Sequence, residues 1–88
     1  MDWTIKYSKT FQKEVRKLGH PIQKKVKSFF DDLETTENPR SKGKALTQNH
    51  SGLWRYRVGD FRIICEIQDK KLVVLTLRIG HRDKIYRK

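Results

Sequence analysis

Arginine side chains recur at alternating positions in LWRYRVGDFRIICEI, a stretch in the second half of the chain. Alternate side chains of an extended strand share one face, so Arg55 and Arg57 lie on the same side. A two-residue turn at Gly59-Asp60 would fold the next strand back and place Arg62 directly across from Arg57. Like charges facing each other across a ladder are destabilising, and a guanidinium is well suited to phosphate. The pattern predicts an anion-binding face, and nucleic acid is the commonest cellular polyanion.

A second group of reactive side chains lies in the motif IGHRDKIY, after the next apolar run. His81 carries an imidazole, which can act as a general acid or base, although a lone histidine can equally be structural. Arg82 could reach the same phosphate as the arginine face. Tyr86 could stack on a base, donate a proton or only pack the C-terminus. Together these groups would allow metal-free RNA cleavage, in which the 2′-OH attacks the adjacent phosphate. The alternative is a basic surface that an acidic partner neutralises.

Further basic residues flank this region. The polar segment 39–52 contains Arg40, Lys42 and Lys44, which either grip phosphate or keep a mobile loop in solution. We also predict RNA contacts for Arg78 and Lys84. His50 and Glu66 are weaker candidates, and the helical lysines are most simply a solvated face.

Composition limits the class of protein. The 88 residues allow one domain, residues 1–88, with a net charge of +11. Residues 40–88 hold thirteen Lys/Arg and four Asp/Glu, so the basic character belongs mainly to this half. This asymmetry favours an acidic partner such as RNA. We expect a cytoplasmic protein with no membrane segment, no metal site and no cofactor, because no apolar run or Cys/His cluster supports them.

The elements that position these groups follow from periodicity. Trp3, Ile5 and Tyr7 alternate as a first strand, and Ser8 can cap a helix that ends at Gly19. A second helix should begin near Pro21 and end before Asn38-Pro39.

The second half of the chain reads as strands. In the hairpin, Trp54, Tyr56 and Cys65 fall on the core side. A turn at Asp69-Lys70 leads into the apolar run Leu72 to Leu77, which predicts an interior strand, and the chain from Arg78 onward should run past the sheet edge. The predicted fold is α+β, in the order β-α-α-β-β-β: an antiparallel four-stranded sheet with two helices on one face and the arginines on the other.

The chain resembles the RelE/ParE superfamily of bacterial type II toxins, and its RelE-like branch most of all. The matching motifs are F-x-K-x-x-x-K-L from Phe11 to Leu18, KAL from Lys44 to Leu46, WRYRVGDFRII and IGHRDKIY. The resemblance implies the active-site residues Arg55, Arg57, Arg62, Arg82 and Tyr86. His81 occupies a position that is basic in many relatives. Because arginine does not deprotonate near neutrality, His81 is our predicted general base.

The resemblance also implies a function and partners. It implies a bacterial or archaeal mRNA interferase that cuts mRNA in the ribosomal A site. Its partners would be a RelB-like cognate antitoxin, the ribosome with its mRNA and rRNA, and operator DNA through the antitoxin only. The alternatives are a ParE-like toxin that inhibits gyrase without nuclease chemistry, and a domain that binds RNA or protein without cleaving.

Overall fold

A computed structural model describes residues 3–46 and 53–83 of the chain. Within these ranges the α+β class is confirmed, with two helices and five strands. The helices are α1 (Lys9–Arg16) and α2 (His20–Glu34), and the strands are β1 (Thr4–Tyr7), β2 (Lys44–Ala45), β3 (Leu53–Val58), β4 (Phe61–Gln68) and β5 (Val73–His81). Two short 3-10 turns, Pro39–Ser41 and Asp69–Lys71, precede β2 and β5.

The helices begin where their capping residues predict. The Ser8 side chain accepts a hydrogen bond from the Phe11 backbone N–H at 3.0 Å and donates to the Leu77 carbonyl at 2.7 Å, so one residue starts α1 and ties it to β5. The prediction that Gly19 ends α1 is wrong. Lys17 is the C-terminal cap, whereas Gly19 is extended (φ −61°) and is the N-cap of α2. Neither helix has the length and apolar character needed to span a bilayer.

The sheet differs from the predicted antiparallel four-stranded sheet. It has five strands in the order β1-β5-β4-β3-β2, and β1 runs parallel to β5 while the other neighbours are antiparallel. β2 is only two residues long, too short to leave an alternating pattern. The partner of β1 lies about 70 positions later, because Thr4 pairs with Val73. A local pattern specifies neither that partner nor its direction.

The β3–β4 hairpin has the predicted register. Val58 pairs with Phe61, Arg57 with Arg62, and the pairing continues to Leu53 and Glu66. Gly59 adopts a positive φ of +59°, as the first position of such a tight turn requires. The like-charged pair Arg57–Arg62 therefore lies across the ladder next to the turn.

The core lies between the helices and one face of the sheet. Its most deeply buried members include Leu33, Tyr56, Ile63, Cys65 and Val74. The predicted burial of Cys65 is confirmed, and burial raises the pKa of its thiol to about 12. The other face is less purely charged than predicted, because Ile64 and Val73 are buried there as well.

A bulge in β5 changes which side chains face the core. Thr76 pairs with Cys65, but Arg78 pairs with Ile64, so Leu77 is an extra residue. Before the bulge the even-numbered residues face the core, and after it the odd-numbered ones do, down to His81 opposite Phe61. The strand is interior, as predicted. However, it continues through Arg78 to His81, so the expectation that the chain leaves the sheet at Arg78 is wrong.

Candidate active site

Basic side chains from two strands of the hairpin and from the segment before β2 meet at one cavity. The cavity has a volume of about 330 Å³ and lies beside β3 where this strand continues beyond its short partner β2. The basic lining residues are Lys42, Lys44, Arg55, Arg57 and Arg62. Within the part of the chain that the structure describes, no acidic residue lines this cavity. We call these five residues the cationic cluster.

Strand register places the strand members of the cluster. Lys44 pairs with Arg55 across β2 and β3, and Arg57 pairs with Arg62 across β3 and β4. Directly paired residues share a face, so all four side chains rise from the same side of the sheet. Arg62 is half-buried, and its guanidinium donates to the carbonyl oxygens of Phe61 at 3.2 Å and Gly59 at 3.4 Å. These bonds hold Arg62 close to the turn.

Two core aromatic residues hold the segment that carries Lys42 and Lys44. The Trp54 indole N–H donates to the Lys42 carbonyl at 2.6 Å, and the Tyr56 hydroxyl donates to the Pro39 carbonyl at 2.7 Å. Burial raises the pKa of Tyr56, which keeps its hydroxyl protonated as a donor. These contacts anchor the described part of the segment, and the interpretation that its basic residues bind phosphate stays a prediction.

Gly43 is the point at which this segment meets β3. Its φ is +78°, and a Cβ built there would collide with the Arg55 carbonyl oxygen and come within 2.8 Å of Trp54 Nε1. Only glycine fits such a close approach in the left-handed region. Gly43 therefore allows the backbone to contact β3 closely, with Lys42 and Lys44 on either side of this contact.

Phe29 is a lining residue that the sequence did not reveal. Its ring lies 5.0 Å from the Tyr56 ring, and Lys42 Nζ lies 5.8 Å from its centroid. The pattern assigned Phe29 to the apolar stripe of α2. A signal was present, since adjacent residues on a helix point about 100° apart. Phe30 is therefore the more deeply buried of the two, whereas Phe29 packs at the border of the core and reaches the cavity.

Two predicted RNA contacts are engaged elsewhere. Arg40 binds Asp69 in a bidentate ion pair, with N–O distances of 2.7 and 2.8 Å, and this hydrogen bonding lowers the pKa of Asp69. Asp69 comes directly after β4, seven residues beyond Arg62. At about 3.3 Å per residue the two residues are roughly 23 Å apart, so Arg40 is engaged at the opposite end of the strand from Arg62. Arg78 contacts Glu14 of α1 at 2.8 Å, and the other oxygen of Glu14 accepts the Ile79 N–H at 3.0 Å.

The end of β5 and the residue that follows it lie beside the β3–β4 turn. The Arg82 N–H donates to the Asp60 carbonyl at 2.9 Å, which brings Arg82 beside the turn that carries Arg62. His81 shares a face with Phe61, and the two rings lie 5.8 Å apart. Its Nδ1 accepts the Asp83 N–H at 3.3 Å. His81 thus lies on the core side of the sheet, outside the cavity lining.

The remaining predicted site residues, Lys84 and Tyr86, and the weaker candidate His50 lie outside the described residues. In ranges 3–46 and 53–83, no group of three or more His, Cys, Asp or Glu is arranged to hold a metal ion. The side chains of the described cavity offer positive charge and hydrogen-bond donors.

Known proteins resemble this chain along nearly its full length. The model of the family described as "ParE toxin of type II toxin-antitoxin system, parDE" matches residues 5–86. The chain is 33% identical to Toxin RelG of Mycobacterium tuberculosis over 89 residues, covering 100% of both sequences. It superposes on a chain of the toxin–antitoxin complex RelBE2 from the same species with a TM-score of 0.83, at 30% identity and 93% coverage of each chain. The archaeal RelE–RelB complex from Pyrococcus horikoshii gives a TM-score of 0.76 at 28% identity, with 96% of this chain and 99% of that chain covered.

Proposed function

The chain belongs to the ParE toxin family, within the RelE/ParE superfamily of type II toxin–antitoxin systems, and we propose that it is a ribosome-dependent endoribonuclease. In this proposal the toxin cleaves mRNA in the ribosomal A site and so inhibits translation. The family assignment fixes the fold and the toxin class. The choice of nuclease chemistry rests on the site.

The cationic cluster is the observation that carries the proposal. Five basic side chains line one cavity, and no acidic residue is among its described lining residues. When a phosphodiester is attacked, negative charge accumulates on the phosphate oxygens. Preorganised cations that face this charge stabilise the transition state, and removing one such group typically slows a reaction by about 10²- to 10³-fold. The direct pairing of Arg57 with Arg62 brings two cations together on one face, which supports this role for them.

RNA supplies its own nucleophile. The 2′-OH attacks the adjacent phosphorus, the bond to the 5′ oxygen breaks, and the products carry a 2′,3′-cyclic phosphate and a 5′-OH. The reaction requires one group that accepts the 2′-OH proton and another that protonates the leaving oxygen. Tyr86 stays our predicted proton donor and Arg82 a predicted phosphate ligand. DNA lacks the 2′-OH and is not a substrate for this route.

The proposed partners of the protein follow from its membership in this toxin family. Both similar solved structures are complexes of a toxin with its antitoxin. We propose a RelB-like cognate antitoxin whose acidic segment neutralises a toxin with a net charge of +11. The ribosome with its mRNA and rRNA is the proposed target, and operator DNA is reached through the antitoxin only.

The decisive experiment maps mRNA 5′ ends after brief induction of the toxin. We expect new 5′ ends at a fixed position within codons of translated mRNAs, and no such ends on the same transcripts when their start codons are removed. An Arg57→Ala variant expressed at the same level is the matched control. Cleavage that is indifferent to translation would contradict ribosome dependence, and growth arrest without any new ends would contradict the nuclease.

A gyrase inhibitor is the second candidate, because the matching family model is named for ParE. Such a toxin would bind its target without cutting RNA. It would induce the DNA-damage response, and supercoiling by purified gyrase would fall in its presence. The same induction experiment separates the two candidates, since mRNA ends and the damage response can be measured in one culture.

A further inference from the structure

The proposed cleavage needs a proton acceptor on the face where the phosphate binds. Arginine cannot serve, because a guanidinium keeps its proton at any physiological pH. Arg55, Arg57 and Arg62 are therefore excluded from this step. The Tyr56 hydroxyl also lines the cavity, but it is committed as a donor to the Pro39 carbonyl.

Two amines remain in the cationic cluster, and their surroundings differ. Lys42 Nζ lies over the ring of Phe29 on the helix side of the cavity, 5.8 Å from the centroid. Such a contact is made by the charged ammonium, because it depends on attraction between a cation and the ring face. Lys42 thus already has a partner for its charge in the ring of Phe29.

Lys44 is placed differently. It is exposed, lies in β2 and pairs with Arg55, so its side chain starts on the arginine face about 5 Å from that of Arg55 at Cβ. Arg57 is the diagonal neighbour, about 7–8 Å away at the backbone. Unlike Arg40 and Arg78, Lys44 has no carboxylate partner among residues 3–46 and 53–83.

His81, the acceptor predicted from the sequence, lies on the other side of the sheet. The bulge in β5 turns its side chain to the face of Phe61, and its Nδ1 already accepts the Asp83 N–H. Of the described residues that line the cavity on the arginine face, Lys44 alone carries a group that can both take and release a proton.

We propose that Lys44 accepts the proton of the 2′-OH, a role that rests on the proposed nuclease function. Neutral Nζ takes the proton as the 2′ oxygen forms its bond to phosphorus and the bond to the 5′ oxygen breaks. The leaving oxygen gains a proton from Tyr86 or from water. The new ammonium ion then adds its positive charge to the arginines beside the cyclic phosphate and returns to the neutral amine by releasing its proton to water.

The test measures single-turnover cleavage of mRNA on programmed ribosomes between pH 6 and 9. Lys44→Arg keeps the positive charge but cannot give up a proton. We expect this variant to bind the ribosome as the unchanged protein does and to cleave about 100-fold more slowly or worse near neutrality, the loss typical of a missing general base. We expect the cleavage rate of the unchanged toxin to rise with pH, and we expect this rise to be absent in Lys44→Arg. Lys70→Arg, in the turn at the far end of the sheet, is the matched control and should behave as the unchanged toxin.

Each other outcome has a defined meaning. If Lys44→Arg cleaves normally while Lys44→Ala is slow, Lys44 supplies charge only and the proposal is overturned. It is also overturned if His81→Ala, and not Lys44→Arg, removes the pH dependence. If the unchanged toxin leaves ribosome-bound mRNA intact, both the proposed nuclease function and the proposed role of Lys44 are wrong. If the unchanged toxin and Lys44→Arg both cleave normally, the nuclease function stands and only the proposed role of Lys44 is wrong.

Discussion

The protein uses its basic residues in two ways, and the clearest contrast is between the cationic cluster and the pairs Arg40–Asp69 and Arg78–Glu14. Each of these two arginines meets a carboxylate at 2.7–2.8 Å. The cluster gathers five basic side chains around a cavity with no described acidic lining residue. The residue types are the same, and several of the residues are near neighbours in sequence. What differs, among residues 3–46 and 53–83, is a carboxylate partner: Arg40 and Arg78 each have one, whereas Arg57, Arg62 and the two lysines have none.

This difference separates structural charge from charge held for a ligand. An arginine with a carboxylate in place joins two elements: Arg40 joins the segment before β2 to the β4–β5 turn, and Arg78 joins β5 to α1. Cations that face each other across a ladder work against the fold. We therefore propose that an anion binds at the Arg57–Arg62 pair.

The largest expected effect comes from removing one member of that pair. Arg57→Thr or Arg62→Thr should lower cleavage about 10²- to 10³-fold and relieve growth arrest, because each removes a cation that faces the transition state. Stability should stay the same or rise by about 0.2–1 kcal/mol, because a like-charged cross-strand pair is relieved. Cleavage assays and urea denaturation test both parts. A large loss of stability in both variants would show that the register is wrong.

Gly43→Ala should have the next largest effect. The added Cβ would meet the Arg55 carbonyl oxygen, and alanine disfavours the positive φ. We expect about a tenfold loss of cleavage and a loss of roughly 1–3 kcal/mol of stability, in the range of overpacked or strained sites. Gly19→Ala is the control, since its Cβ would meet only Pro21 Cδ at 3.7 Å. Equal activity losses in both variants would mean that Gly43 has no special place at the site.

Arg78→Met should affect stability more than activity. It removes the ion pair with Glu14, while Glu14 retains its bond to the Ile79 N–H. We expect a loss of about 0.5–1 kcal/mol, the range of a half-exposed pair, and cleavage within about twofold of the unchanged toxin. Thermal denaturation and the cleavage assay provide the measurements. A strong loss of RNA cleavage with normal stability would return Arg78 to the RNA contacts predicted from the sequence.

The smallest effect concerns acid stability. The bidentate bond from Arg40 lowers the pKa of Asp69 below its usual 3.8 in the folded state. The contribution of this ion pair to the stability of the fold is therefore complete above pH 3.8. It is lost as the pH falls through the lowered pKa of Asp69. Asp69→Asn should be less stable than the unchanged protein at pH 7, and the difference should shrink below about pH 4. Denaturation curves at pH 7 and pH 3 would show it; a constant difference would exclude the ion pair as its source.

The sequence predicted the arginine hairpin but not the sheet around it. Register in β3 and β4 follows from strict alternation and a tight turn, both of which are local. The partner of β1 and the extra residue in β5 are not local, since both depend on strands that meet only in the folded sheet. The position of His81 shows the consequence, because one unpredicted residue at Leu77 decides which face it occupies.

The basic residues show a similar division. The sequence predicted that Lys42 and Lys44 contact the same ligand as the arginines, and the structure brings them to the same cavity. It could not separate them from Arg40, two residues away from Lys42, because the carboxylate that engages Arg40 lies 29 positions further along the chain. Ion pairs between distant elements leave no pattern in a single sequence.

The parallel pairing of β1 with β5 also affects how the toxin folds during its synthesis. β1 is an edge strand whose only neighbour is the last described strand. The sheet therefore cannot be completed until residues 73–81 have been synthesised and have left the ribosome. Contacts between such distant parts of a chain also form slowly. A newly made molecule consequently passes through a period without its completed sheet, during which an antitoxin can meet it.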